Sequence, residues 1–256
     1  MTRFEEFSAL HHNSTPLLIG NVWNAQSAGI YEKLHYRAIG TSSAAVAESL
    51  GFNDGEEMSF DEYLFVIRRI AASTDALLTV DLEAGYGDSP EAIVHNIGRL
   101  HKMGVVGINI EDSVVANGKR SIVNANDFAA KLSQINSLLK AAGIEMFINV
   151  RTDSFLLGLP NALEDALTRI ALYQETGVHG LFFPCATDPV AITSLTANSK
   201  LPVSVMCMPG LPDFDQLQRA GIKRISAGPF LNMNTYRNLE IAIEKIGADG
   251  SFASLF

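Results

Sequence analysis

Three short runs in this 256-residue chain place acids and an arginine directly after apolar stretches: Asp81-Leu82-Glu83, Glu111-Asp112 and Arg151-Thr152-Asp153. Side chains alternate along a strand, so Asp81 and Glu83 are expected to face the same way, with Glu111 joining them from a neighbouring strand. Several carboxylates in one cavity repel one another and are costly to desolvate, and a divalent cation relieves both effects. Acids with no histidine beside them suit Mg²⁺ or Mn²⁺ rather than zinc. The plainer alternative is that these acids cap the following helices or pair with Arg151.

Other residue types carry weaker signals. Thr41-Ser42-Ser43 offers hydroxyls and backbone N–H groups to an anion, but capping a helix would need the same residues. The Gly85-Tyr86-Gly87-Asp88 loop lacks the spacing of a dinucleotide fingerprint and reads as a tight turn. His95 and His101 are six apart and share no helix face. His11, His12, His35 and His179 fall in the amino-terminal segment or before strands. Cys185 and Cys207 belong to no CxxC or Cys/His pattern and read as free thiols lining the rim.

The balance of 19 basic against 28 acidic residues, net charge −9, disfavours a nucleic-acid partner. No stretch approaches the roughly 20 apolar residues of a membrane span, and the start, MTRFEEFSALHHN, lacks a secretion signal's apolar run. The expectation is a soluble, cytoplasmic protein with no membrane contact.

What must position the acids is a recurring unit: a helical pattern, a Gly, an apolar residue, then a run rich in Val, Ile, Leu or Phe. It appears around Gly104, Gly143, Gly177 and Gly221. Gly suits the left-handed position that ends a helix, and continuous apolar runs suit parallel strands covered on both faces. Strands are expected near Leu17–Val22, Arg37–Thr41, Leu77–Leu82, Gly107–Ile110, Met146–Val150, Leu181–Phe183, Val203–Met206 and Arg224–Ala227. Ser59 with Glu62 forms a capping box, while Ser89-Pro90 and Asp188-Pro189 each place a cap before a first-turn proline. Eight alternations without a linker predict an α/β fold, one closed (β/α)₈ barrel of the TIM type spanning residues 1–256. In such a barrel the chemistry lies at the carboxyl ends of the strands, where the three acidic runs fall.

The segments GTSSAAVAESLGFND, TVDLEAGYGDSP, GVVGINIEDS, FINVRTD and GIKRISAGP occur in the order found in the isocitrate lyase and phosphoenolpyruvate mutase superfamily, and the chain resembles its members over most of its length. The resemblance implies a barrel whose last helix packs on a neighbouring subunit, in a homo-oligomer that is a dimer of dimers. It implies Mg²⁺ holding the oxygens of a small anionic 2-oxo acid or its enolate. By the same resemblance Asp81 binds the metal most directly, while Asp54, Glu83 and Glu111 hold it through water. Ser42, Ser43 and Ala44 match the segment that grips the substrate carboxylate, and Arg151 matches an arginine that contacts the far end of the substrate or its enolate oxygen.

The chain departs from the superfamily in the loop after the fourth strand. Lyases acting on isocitrate or methylisocitrate carry Lys-Lys-Cys-Gly-His there, and the mutase and phosphonopyruvate hydrolase carry a Lys-Thr-Asn-like gate. Here the segment Ser113–Ser121 reads SVVANGKRS, without a thiol, which predicts little or no isocitrate cleavage. Lys119 and Arg120 read as a solvated basic turn. Three functions compete: a Mg²⁺-dependent lyase breaking a C–C bond beside the carbonyl of a small 2-oxo or 2-hydroxy dicarboxylate, such as an oxaloacetate decarboxylase; P–C bond chemistry on phosphonopyruvate; and an inactive ligand-binding barrel.

Overall fold

Apolar runs bounded by turn residues become strands when helices cover both of their faces, and this chain repeats that arrangement until the sheet meets itself. The computed structural model describes residues 1–256. It begins with α1 (Arg3–Leu10), β1 (Leu17–Val22), α2 (Ala25–Lys33) and β2 (Ala38–Thr41). Two helices, α3 (Ser43–Ser49) and α4 (Phe60–Ala71), precede β3 (Leu77–Asp81), and α5 (Pro90–His101) leads to β4 (Val105–Glu111). A hairpin of β5 (Ser113–Ala116) and β6 (Lys119–Ile122) follows, then α6 (Ala125–Ala141), β7 (Phe147–Arg151), α7 (Ala162–Tyr173) and β8 (Gly180–Phe182). The remainder runs α8 (Pro189–Asn198), β9 (Val203–Met206), α9 (Phe214–Arg219), β10 (Arg224–Ser226) and α10 (Phe230–Asp249), with a 3₁₀ turn at Ala253–Leu255.

Eight parallel strands close in the order β1-β2-β3-β4-β7-β8-β9-β10, with β10 pairing β1. This is the (β/α)₈ barrel that the sequence pattern predicts. Each strand lies where an apolar run places it, the largest difference being β4, which starts at Val105 rather than Gly107. The four repeat glycines, Gly104, Gly143, Gly177 and Gly221, have φ between +66° and +88°, the left-handed conformation in which a helix ends. Ser59 and Glu62 form the expected capping box, and Ser89 and Asp188 cap helices that open with proline.

The main apolar core lies between the strands and the surrounding helices. A second cluster of Phe7, Leu10, Ile19, Ala38, Leu77, Val106 and Phe147 joins α1 to the amino-terminal strand ends. His11 stacks on Phe147 at 4.2 Å between ring centres, so α1 plugs the lower end of the barrel. One element stands apart. Of the 20 residues of α10 only Asn232 is buried, while Leu231, Met233, Tyr236, Leu239, Ile241 and Ile243 are exposed.

Candidate active site

The carboxyl ends of the strands surround a cavity of about 170 Å³ lined by Ser42, Ser43, Ala44, Asp54, Asp81, Asn109, Arg151 and Arg224, with Leu156, Phe182, Pro184 and Met206 on its apolar side. A larger open groove of about 910 Å³ lies at the opposite end, around Phe4, His101, Lys140 and His179. It gathers no set of acids, so the chemistry belongs to the smaller cavity.

Asp81 is held from both sides of its peptide. Its N–H donates to Thr41 Oγ1 at 3.0 Å, and the Tyr63 hydroxyl donates to its carbonyl at 2.9 Å. Because the single Tyr63 proton is used there, Thr41 must donate in its 2.5 Å contact with Tyr63, closing a ring of hydrogen bonds. The Asp81 carboxylate accepts from Ser43 Oγ at 2.9 Å and from Asn109 Nδ2 at 3.4 Å. Burial raises its pKa, with the Arg151 charge opposing. Ser42 caps α3, its side chain accepting from Ala45 N. The structure therefore sets Ser42, Ser43, Ala44 and Asp81 along one wall.

Glu83 follows a different course from strand alternation. β3 ends at Asp81, and Glu83 adopts φ +51°, so the period of two no longer applies. The carboxylate does not line the cavity but lies near enough to Asp54, Asp81 and Glu111 to feel their charges, and it accepts from Glu56 N and from Tyr86 Oη, both at 2.8 Å. Tyr86 N in turn donates to Glu56 at 2.7 Å. Glu56 and Tyr86 also have positive φ, so three non-glycine residues in a strained region form one lock, as happens at functional rims. Burial, reinforced by the Asp54 charge, pushes Glu83 up to about 8. The Gly85-Tyr86-Gly87 turn serves this lock: a Cβ on Gly85 would meet Ile93 at 2.7 Å.

Glu111 is turned toward arginines. Arg151 Nη1 lies 2.9 Å from its Oε2, and Arg120 Nη1 donates to its Oε1. Burial raises its pKa, the Arg151 charge opposing. Arg151 is bound to Asp153 as well, by Nε at 2.6 Å and Nη2 at 3.1 Å. Two of its five N–H groups thus make hydrogen bonds, while Nη1 pairs with Glu111 by charge alone. Asp112 faces outward: it is completely buried and accepts from Thr152 Oγ1, Asp153 N, Arg169 Nη1 and Tyr173 Oη, fixing the segment that carries Arg151 and Asp153.

The solvated basic turn is corrected by the hairpin. Arg120 is only 14% exposed and reaches Asp54 at 2.8 Å and Asp153 at 3.3 Å in addition to Glu111. A guanidinium sits among three acids, two of which the resemblance gives to the metal. Lys119 remains exposed. Cys185 and Cys207 flank the cavity without lining it; Pro184 and Met206 take those places.

No group of three or more acidic, histidine or cysteine side chains is arranged to hold a metal directly. The donors still suit one in a particular way. Asp54 and Glu111 have arginine partners, whereas Asp81 and Glu83 take part in no ion pair, and Asp81 faces the cavity. An ion held by the single Asp81 carboxylate, with other acids at a water's remove, matches this set.

Sequence reasoning missed two further site residues. Arg120 is brought in by a hairpin whose Asn117-Gly118 turn, with φ +51° and +71°, was its visible signal. Arg224, a charged residue opening a covered strand, is 3% exposed and is among the residues lining the cavity. Burial lowers its pKa to about 10, so it stays charged near neutrality.

Known proteins share this fold. The family model for phosphoenolpyruvate phosphomutase matches residues 7–247. An uncharacterized protein of Mycobacterium tuberculosis is 32% identical over 222 residues, covering 87% of this chain and 81% of that protein. The 2-methylisocitrate lyase of Shewanella oneidensis is 27% identical, covering 80% of this chain and 69% of the lyase. A crystal structure from Burkholderia cenocepacia J2315, provisionally described as a phosphonomutase, superposes with a TM-score of 0.88 at 33% identity, covering 95% of this chain and 98% of the other. The chain therefore belongs to the phosphoenolpyruvate phosphomutase family, within the isocitrate lyase and phosphoenolpyruvate mutase superfamily of lyases and mutases.

Proposed function

We propose that the protein is a Mg²⁺- or Mn²⁺-dependent lyase that breaks a C–C bond beside the carbonyl of a small 2-oxo or 2-hydroxy dicarboxylate through an enolate. Decarboxylation of an oxaloacetate-like acid is one form. The observation that carries the reading is the pairing of Asp81, a cavity-facing carboxylate without a basic partner, with Arg151 in the same 170 Å³ space. Relatives include an oxaloacetate decarboxylase of Paraburkholderia xenovorans, 26% identical over 82% of this chain.

Asp81 would hold the ion, with Asp54, Glu83 and Glu111 acting through water. When bound, the ion supplies positive charge to oxygens on which negative charge develops. The chain's own groups do the rest. Ser42, Ser43 and Ala44 receive the substrate carboxylate beside Asp81. Arg151 presents its free N–H groups to an enolate oxygen, and its hydrogen bonds to Asp153 with the ion pair to Glu111 hold the fork still. Arg120, at the end of the hairpin, closes the acid-lined side of the cavity.

A second reading, P–C bond chemistry on a phosphonopyruvate-like acid, is favoured by the match to the phosphoenolpyruvate phosphomutase family model. The two separate in one screen. Purified protein with Mg²⁺, or with EDTA, is offered oxaloacetate, methylisocitrate, dimethylmalate-type acids, isocitrate and phosphonopyruvate. Mg²⁺-dependent loss of a C–C substrate supports the first reading, and turnover of phosphonopyruvate alone supports the second. No turnover of any leaves a ligand-binding barrel.

No helix is long and apolar enough to cross a membrane. The exposed apolar residues of α10 support assembly with further copies of the chain, the arrangement that the resemblance implies as a dimer of dimers.

A further inference from the structure

Two arginines are buried and two more half-buried in or near the barrel, and three of the four are neutralised: Arg120, Arg151 and Arg169 each contact at least two carboxylates. Arg224 differs. It takes part in no ion pair, and its single hydrogen bond runs from Nη2 to Asn109 Oδ1 at 3.3 Å, an oxygen already shared with Asn149 at 2.9 Å. Its Nη1 is buried with no hydrogen-bond partner at all. Below it lies His11, itself buried, which supplies no negative charge.

A guanidinium does not shed its proton in a protein, so it does not escape the cost of burial by becoming neutral. What offsets that cost is an anion, and the planar fork of arginine matches a carboxylate with two parallel hydrogen bonds. Arg224 opens its strand, whereas Asp81 and Arg151 are the last residues of theirs, and all three line the cavity. Asn109 links Asp81 to Arg224, donating to the first and accepting from the second. The cavity, about 170 Å³, is smaller than the ~300–1,000 Å³ usual for larger organic ligands, which restricts the occupant to a compact acid.

We propose that Arg224 forms an anion subsite in the cavity and holds the distal carboxylate of a small dicarboxylic acid whose other end lies beside Asp81 and Arg151. This rests on the lyase reading for the identity of that other end, but not for the anion at Arg224. The subsite selects diacids over monoacids of the same 2-oxo or 2-hydroxy type.

Malate and lactate are the probes, since they share the 2-hydroxy acid end and differ in the distal carboxylate. Calorimetry on the full chain, with Mg²⁺ and with EDTA, should show malate binding at least ~30-fold more tightly than lactate. Arg224→Met should bring malate down to the lactate level and leave lactate unchanged, while Arg224→Lys, which keeps the charge and loses the fork, should fall between. A malate preference that survives Arg224→Met, or no preference in the unaltered protein, overturns the subsite. Should Arg224→Met fail to fold, a crystal structure of the unaltered protein with malate decides: a carboxylate on the Arg224 guanidinium supports the proposal, and malate seated elsewhere overturns it. The lyase reading fails separately. An Arg224-dependent preference that is identical in EDTA, with no acid turned over, keeps the subsite and removes the lyase; Mg²⁺-dependent turnover with no Arg224 effect does the reverse.

Discussion

Arg151 and Asp153, two residues apart in sequence, are joined by two hydrogen bonds, from Nε at 2.6 Å and from Nη2 at 3.1 Å. Side chains two apart leave a strand on the same side, and the two bonds lock this pair into a rigid fork. Arg151→Lys keeps one charge but cannot keep both bonds together with the Glu111 contact. Expected are a stability loss of about 1–3 kcal/mol in urea unfolding and a fall of ~100-fold or more in kcat/KM on the substrate found in the screen. Lower stability with full turnover would make Arg151 scaffolding only.

Arg120 enters from a hairpin and neutralises acids that lie far from it in sequence. Arg120→Ala leaves Glu111 and Asp153 with Arg151 alone. The metal-free variant should melt lower than the parent, and added Mg²⁺ should raise its melting temperature by more than it raises the parent's, because a competing cation is gone. Equal Mg²⁺ shifts in thermal unfolding would show that Arg120 and the ion do not share these acids.

Asp81→Ala should abolish Mg²⁺-dependent binding of oxalate, a planar mimic of an enolate, with calorimetry as the measurement. Burial holds the Asp81 carboxyl above its ordinary range, so removing it should leave the metal-free protein as stable as before or slightly more so. Oxalate binding with the same affinity in EDTA would count against chelation altogether.

His11 gives a pH signature at the closed end of the barrel. Burial, with the Arg224 charge adding to it, lowers its pKa to about 3. The unfolded chain therefore binds the proton between pH 6.5 and 3 while the native state does not, so stability falls as pH drops through that window. The contribution is about 5 kcal/mol at most. His11→Phe, which keeps an aromatic ring against Phe147, should flatten the acid limb of the stability profile; a profile unchanged below pH 6 would show that His11 titrates normally.

The exposed side chains of α10 predict self-association. Leu239→Glu combined with Ile243→Glu should shift sedimentation to a smaller species than the parent forms at the same concentration. A parent that already sediments as a monomer would leave the apolar face of α10 without a role in assembly.

The barrel was legible because a parallel strand covered on both faces leaves an apolar run whatever its neighbours are, and the glycine that ends each preceding helix marks where it begins. Asp81 and Arg151 were legible for the same reason: they are the last residues of such runs. Glu83 was legible as a member of the acid group, but the way it is held was not, because its left-handed backbone and its bonds to Glu56 and Tyr86 lie outside strand period. Arg120 was hidden by distance, since its partners Asp54 and Asp153 lie 66 and 33 residues away. Arg224 was hidden by the opposite circumstance: its lack of a partner is visible only once every neighbour has been placed.

The helix that plugs the lower end of the barrel makes the cavity a cul-de-sac. With Phe7 and His11 packed against Phe147, nothing passes through the floor, and all traffic uses the mouth at the carboxyl ends of the strands. For a reaction that splits one molecule into two, depth then becomes sequence in time: the fragment nearer the mouth departs first, and the deeper one blocks the next substrate until it follows.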